Sequence, residues 1–482
     1  MNSIPFDSYS KLRLLSPWRL RNDEKNLVVY TCNTDSIKHK ILSPYEASIM
    51  PFFNGENSIE KIYDYWLDIH DATKDNITKL ITSLNRIIVS WMNDKMIGTD
   101  GEVSPSVKYR RERLIPDFTS YIYPANRLER PLSVSVAITN HCNTNCLYCY
   151  AERRNCHELD FEKLNTIFRE LAANEIYIVD IAGGDTLSHP DYLDIFKNMV
   201  KNDFVFFLST KSYISEKTAE TFRELEIGLN GVLPHLKRTL QISIDSSCPD
   251  IAAFLTGRGN YLGSAIASVK NAVKAGLSPR VKSVLTSFNA DAPEGIVKLF
   301  VDLGVKEFQF VQYGRSHYRH NDSLFLSAKQ KLEFADTAEK LHRDYPGILI
   351  TFQEDFSTAP PKRKTLEDWR SRALCSGGRT SMQIQPNGDV TLCDQLPHAP
   401  QFIIGNVLEQ GLKSVWNSPQ LINFLNAPRE LFNETVCYDC DEFDWCHYKV
   451  GYCYRDSFFH YGTTYDAPPD CPFQTKIGLR AL

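Results

Sequence analysis

Nowhere does the chain run apolar for long enough to cross a bilayer. Its longest apolar stretches, such as Phe204-Val205-Phe206-Phe207-Leu208, fall far short of the roughly 20 residues a spanning helix needs. The first 25 residues hold no apolar core of the secretory-signal kind. Positive charge is not in excess either. Lys and Arg number 54 against 59 Asp and Glu, a net −5, so no global field exists to hold a polyanion. Internal repeats and low-complexity tracts are missing. With 43% hydrophobic and 23% charged residues, disorder and fibrous architecture are excluded. The expectation is a cytoplasmic globular protein of 482 residues in roughly three domains, with neither membrane nor nucleic acid as its main partner.

Cysteine is what the chain has in quantity. There are thirteen, and ten of them fall in two groups. A reducing cytosol disfavours a disulfide framework, and scattered core thiols would not cluster, so metal is the default explanation. The first group is Cys142-x3-Cys146-x2-Cys149, on the loop after a strand predicted over 132–139. The second is Cys375, Cys393, Cys437, Cys440, Cys446, Cys453 and Cys471. Cys32, Cys156 and Cys248 are left over and read as inert buried thiols.

The middle of the chain alternates strands and helices. Strands are expected over 132–139, 176–182, 204–210, 239–245, 281–286 and 308–313, with helices over 160–174, 215–225, 263–275 and 295–303. Six such units imply an α/β parallel sheet curled into a partial barrel, too few for the usual eight-unit closure. Such sheets build their sites at the carboxyl ends of strands, where the first cysteine loop lies. Three spaced thiols are one short of a closed zinc or [4Fe–4S] site. Either His141 or Cys156 completes a structural site, or one iron stays open to bind a small molecule.

Cys142-x3-Cys146-x2-Cys149, with Tyr148 before the last cysteine, resembles the radical SAM superfamily. The resemblance implies that these three cysteines hold a [4Fe–4S] cluster binding S-adenosyl-L-methionine, whose cleavage yields a 5′-deoxyadenosyl radical. Gly183-Gly184-Asp185-Thr186 falls where that family has Gly-Gly-Glu-Pro, and it departs from the motif at Asp185 and Thr186. By resemblance, Gly183, Gly184 and Asp185 receive the amino group of the cofactor. Ser243 and Asp245 share one face of the fourth strand by the period-two rule and resemble the family's cofactor-facing residues. Arg258, on a displaced glycine turn, resembles its carboxylate ligand. Tyr148 is expected at the same site.

The second group resembles the SPASM extension of radical SAM enzymes, which carries auxiliary [4Fe–4S] clusters. A turn over 385–390 would fold Cys393 back toward Cys375. The resemblance implies one cluster on Cys375, Cys393 and Cys453 and another on Cys437, Cys440, Cys446 and Cys471, three clusters in all. Six residues separate Cys446 from Cys453, against three in the usual pattern. Zinc is the alternative. The block is expected to be loop-rich and held by metal rather than by a large apolar core.

Residues 26–98 predict a small sheet and three helices, a winged-helix pattern. Their seven basic and nine acidic residues leave no footprint for a DNA-binding sensor. Leu42-Ser43-Pro44-Tyr45-Glu46-Ala47 and Phe52-Phe53-Asn54-Gly55, then Ser58-Ile59-Glu60-Lys61-Ile62, resemble the PqqD-related element that binds precursor-peptide leaders by strand addition. The expected domains are 1–105 (recognition), 106–130 (a solvated linker), 131–345 (barrel), 346–374 (bridge) and 375–482 (SPASM). The resemblance implies crosslinking of a ribosomal precursor peptide, with flavodoxin or ferredoxin as electron donor. Oxidation of Ser or Cys in the manner of sulfatase maturases, and epimerisation with Cys248 or Cys156 as hydrogen donor, are the alternatives.

Overall fold

The computed structural model describes residues 7–32, 37–99, 109, 111–151, 157–229, 238–314, 316–353 and 365–473. Residues up to Arg130 form one compact unit, and the described chain from Pro131 onward forms another.

In the N-terminal unit, β1 (Lys11–Leu14), β5 (Asn54–Ser58) and β6 (Ile97–Gly98) make one small sheet, with β1 central. The other sheet is antiparallel, with β3 (Leu27–Thr31) between β2 (Trp18–Asn22) and β4 (His39–Ile41). The three predicted helices run over Pro44–Ile49, Ile59–Ile69 and Ile77–Asn93. The first begins with a capping box. The Ser43 hydroxyl accepts from Glu46 N at 3.3 Å, and the Glu46 carboxylate accepts from Ser43 N at 3.0 Å. The other two bury Ile59, Ile62 and Trp66, and Leu84, Ile88 and Trp91, each at helical spacing. Two strands precede residue 26, where no structure was expected, and they divide the predicted single sheet into two.

The expected linker is largely exposed where it is described, but a few of its side chains anchor it. Tyr121 donates to Leu42 O at 2.7 Å and accepts from Leu27 N at 3.1 Å. Tyr109 donates to Phe53 O at 2.8 Å, and Leu114 is buried. These contacts tie the segment to the backbone of the same compact unit.

The second unit is organised on parallel strands: β7 (Ser133–Thr139), β8 (Ile178–Gly183), β9 (Phe206–Thr210), β10 (Arg238–Ser243), β11 (Arg280–Leu285) and β12 (Glu307–Gln312). The pairings β7–β8 and β9 through β12 are joined by a single bridge between Ile178 and Val205. These are the six expected strands. A seventh, β13 (Leu349–Gln353), pairs parallel with β12, so the sheet continues into the segment expected to be a bridge. Helices such as Phe161–Ala173, capped by Asp160, cover its outer face with Leu164, Ile167, Phe168 and Leu171.

The C-terminal segment adds to the same sheet. β14 (Ser381–Ile384) pairs parallel with β7, in the register Ser381 to Ser133 and Ile384 to Val136. It turns through Gly388 into β15 (Asp389–Thr391), which pairs with β16 (Ile403–Asn406). Ile384, Val390, Phe402, Val415, Trp416 and Phe432 belong to one apolar cluster with Val134, Ile181 and Leu240 of the barrel. The expectation of a block held mainly by metal is therefore corrected. Its apolar residues are irregularly spaced along turns, which hides from the sequence that they converge on one core. Among the described residues, no helix is long and apolar enough to cross a membrane.

Candidate active site and cysteine centres

β7 ends in the loop that carries Cys142, Cys146 and Cys149. The Thr144 hydroxyl lies 3.2 Å from Cys142 Sγ and 3.4 Å from Cys146 Sγ, and Cys149 N donates to Cys146 O at 3.3 Å. The loop is tied on three sides. Asn145 N donates to Thr256 O at 2.7 Å, Arg319 donates to Cys146 O at 3.1 Å, and Asp185 N donates to His141 O at 2.8 Å. Gly184 N also reaches Thr139 O at 2.7 Å. A Cβ on Gly183 (φ +133) would stand 2.1 Å from Thr139 O, and one on Gly184 would stand 2.0 Å from His141 O. The glycine pair lets the loop after β8 lie directly against the cysteine loop.

Asp185 lines the cavity with its carboxylate already engaged. Its buried carboxylate accepts from Thr210 Oγ1 at 2.7 Å, Lys211 N at 2.6 Å, Ser212 N at 3.0 Å and Leu187 N at 3.1 Å. Four donors engage both oxygens, so the side chain fixes the loop after β9 rather than offering a free acceptor. Asp245 is likewise engaged. It pairs with Lys211 Nζ at 3.0 Å, accepts from Val284 N at 3.0 Å and from the Tyr148 hydroxyl, and is fully buried. Of the pair expected on one face, Ser243 lines the cavity and Asp245 lies behind it. Arg258 is half-buried outside the lining.

Lys211 escaped the sequence reading. Its only signal there is its position just past the end of the third strand. Burial works against its charge, but the Asp245 carboxylate, with Tyr261 and Cys146, holds its pKa above the ordinary lysine value. Burial and Asp245 push the Tyr148 hydroxyl up.

These residues open on a cavity of about 770 Å³, within the range of cofactor and ligand pockets. Cys142, Cys146 and Cys149 line it, and so do Cys375, Cys393 and Cys453. Instead of the apolar layers of a closed barrel, the bore presents Ser135, Ser209, Gln241, Lys282 and Gln383. The side-chain carbonyls of Gln241 and Gln383 are buried without a hydrogen-bond partner. Burial, with Arg280 and Lys211 nearby, lowers the Lys282 pKa.

Cys437, Cys440, Cys446 and Cys471 border a second, small cavity with Phe443 and His447. The long interval after Cys446 is taken up by a wide helical segment, Asp444–Val450, and by Gly451 (φ +77). There Cys375 N donates to Val450 O at 3.0 Å, and the chain delivers Cys453 to the first cavity. Cys248 is exposed and Cys32 is buried, with its thiol pushed up to about 11 by burial. Cys156 lies outside the described residues.

The donors fit iron–sulfur centres. Burial raises the Cys446 thiol to about 11 and that of Cys453 to about 12, and burial with the Cys446 and Cys471 thiols raises Cys437. Such groups become thiolates readily only against a metal centre. Among the described residues, no three His, Cys, Asp or Glu side chains converge as a single ion requires. Thiolate donors of this kind suit iron–sulfur clusters or zinc.

Residues 136–303 match the Radical SAM superfamily, and residues 375–441 match SPASM, an iron–sulfur cluster-binding domain. The chain is 25% identical over 353 residues to mycofactocin maturase MftC of Mycolicibacterium smegmatis, covering 71% of this chain and 83% of that protein. It is 22% identical over 335 residues to the subtilosin biosynthesis protein AlbA of Bacillus subtilis, covering 68% of each. The structure of Streptococcus suis SuiB bound to its precursor peptide SuiA superposes with a TM-score of 0.66 at 16% identity, over 95% of this chain and 98% of that one. The chain is thus a radical SAM enzyme, with a barrel domain followed by an iron–sulfur domain.

Proposed function

We propose that this enzyme binds the leader of a ribosomally made precursor peptide on its N-terminal unit and closes a thioether, carbon–carbon or carbon–oxygen crosslink in the core of that peptide. The observation that carries the reading is one cavity lined by two separate cysteine triads. The similarity to mycofactocin maturase, to the subtilosin protein and to the fold of a peptide-bound enzyme supports a peptide substrate. A [4Fe–4S] cluster on Cys142, Cys146 and Cys149, with S-adenosyl-L-methionine, would supply a 5′-deoxyadenosyl radical for hydrogen-atom abstraction. Cys375, Cys393 and Cys453 would hold a second cluster, and Cys437, Cys440, Cys446 and Cys471 a third, with flavodoxin or ferredoxin as electron donor. Gly183 and Gly184 keep the cysteine loop in register with the β8 loop. Asp185 and Asp245 hold the walls of the site, and Ser243, Gln241 and Gln383 offer polar contacts to what enters it.

The N-terminal unit is read as a PqqD-like winged helix. Among the described strands β4 pairs only with β3, which leaves an edge where a leader can add as a strand. Tethering raises the local concentration of the core, so its contacts in the cavity can be weak.

Reconstituted anaerobically and reduced with dithionite, the protein should release 5′-deoxyadenosine, and a precursor encoded beside its gene should lose two hydrogens per crosslink. Replacing Cys142, Cys146 and Cys149 together by Ala should abolish both while peptide binding persists. Continued cofactor cleavage by that variant refutes the site. Removing residues 1–130 should weaken leader binding, and unchanged affinity refutes the recognition role.

A further inference from the structure

Arg372 lies three residues before Cys375, the first cysteine of the C-terminal group, yet its guanidinium serves the other centre of that group. One terminal nitrogen stands 3.0 Å from Cys446 Sγ and donates to Gly451 O at 3.0 Å. The other donates to Trp369 O at 2.7 Å. The guanidinium lies over two indole rings, its central carbon 3.9 Å from the Trp369 centroid and 4.7 Å from that of Trp445. Its Nε is buried with no hydrogen-bond partner. Glu442 pairs with the neighbouring Arg370 instead. Among the described residues no carboxylate forms an ion pair with Arg372.

An arginine on a turn ordinarily points to water or to a carboxylate. Here a fixed cation, held by two backbone carbonyls and two rings, has among the described residues a cysteine sulfur as its one anionic prospect. Reduction of a cluster adds one negative charge to the sulfurs and iron. A charge-assisted N–H···S contact in a partly dry site therefore favours the reduced form and raises the potential. We propose that Arg372 is a positioning residue that raises the reduction potential of the centre held by Cys437, Cys440, Cys446 and Cys471, making that centre the ready electron acceptor of the C-terminal domain. This rests on the cluster assignment made under the proposed function.

The test is an electron paramagnetic resonance redox titration of the full-length, reconstituted protein, with iron analysis of each variant. Cys437→Ala should lose one cluster's share of the iron and one of the reducible signals. If it loses neither, the cluster assignment and this inference fall together. In Arg372→Gln at full iron content, the midpoint of that same signal should move negative while the others stay where they are. Arg372→Lys keeps the charge but not the planar fork, and should fall between Gln and wild type. If the Gln variant loses iron, the Lys variant carries the comparison alone, and a midpoint equal to wild type overturns the inference. Unmoved midpoints in both variants, with the Cys437-dependent signal present, overturn the tuning role and leave the cluster assignment standing.

Discussion

Adding one methyl group at Gly184 should disable the cofactor site without unfolding the protein. The Cβ would stand 2.0 Å from His141 O, 2.5 Å from His141 C and 2.7 Å from Asn140 O. All three are backbone atoms of the loop that carries Cys142, so no flexible side chain can swing aside. To restore even a 3.0 Å contact, one loop must retreat by roughly 1 Å. The retreat strains the Gly184 N to Thr139 O and Asp185 N to His141 O bonds, now 2.7 and 2.8 Å. Overpacking of this kind costs about 1–3 kcal/mol, and each weakened bond adds about 1 kcal/mol. That is a fraction of the roughly 5–15 kcal/mol that holds a domain together, so the chain still folds. Catalysis is less tolerant, since a misplacement of about 1 Å can cost about 100-fold in rate. Gly184→Ala should therefore keep its C-terminal iron, release 5′-deoxyadenosine about 100-fold more slowly, and lose up to roughly a third of its iron if the displaced loop no longer retains its cluster. Gly259→Ala is the control, because no atom lies within 4 Å of the added carbon. Wild-type release by Gly184→Ala would refute the idea that the glycine pair holds the cysteine loop in place.

Two further predictions follow from buried and half-buried charge. Lys211→Met leaves the fully buried Asp245 without its cation and should cost about 3–5 kcal/mol in chemical denaturation, with Asp245→Leu in the same chain recovering most of it; equal stability of wild type and the single variant counts against the pair. Burial would raise the Asp389 pKa, but the bond from His398 at 2.8 Å, with those from Asn387 and Asn406, holds it below the usual carboxylate value. A depressed acid stabilises the fold above its unfolded pKa of about 3.9 and loses that contribution as pH falls through the lower, folded value. Acid titration of stability should therefore be shallower below about pH 4 in Asp389→Asn than in wild type, and identical slopes would exclude the linkage.

The six strands β7–β12 were legible because apolar residues such as Val134 and Val136, or Phe308 and Phe310, recur at period two between turn signals. The cysteine spacings were legible because grouped thiols point to a shared site, and two of the groups do border common cavities. Edge strands were not. β13 alternates exposed and buried positions in a segment with no other signal, and β2 carries Arg19 and Arg21, which look solvated. Arg21 is in fact buried against Asp23 at 3.0 Å. At the site, period two put Ser243 and Asp245 on one face, but the strand ends at Ser243 and only Ser243 lines the cavity. The pattern could not reveal that Lys211, 34 residues earlier, occupies the space in front of the carboxylate. Asp185 shows the same limit: two of its four donors, Lys211 N and Ser212 N, are backbone groups of a distant loop, invisible to any local pattern.

Topology also bears on how the two triads divide their work. β14 runs parallel to β7, Cys375 precedes it, and Cys393 follows the antiparallel β15. That pair therefore lies toward the starting ends of the strands, whereas Cys142, Cys146 and Cys149 follow the carboxyl end of β7. The seven residues of β7, at about 3.3 Å each, put roughly 20 Å between the two ends. Ser133 and Ser381 near one end line the same cavity as Gly183 and Gly184 at the other, so the space runs the length of the bore. A substrate atom attacked beside the first triad cannot at the same moment be a ligand at the second. An extended peptide can occupy both ends, and an electron leaving the closing bond can cross the same passage. The second triad thus fits a partner that anchors another part of the peptide or takes up the electron better than one that grips the reacting atom.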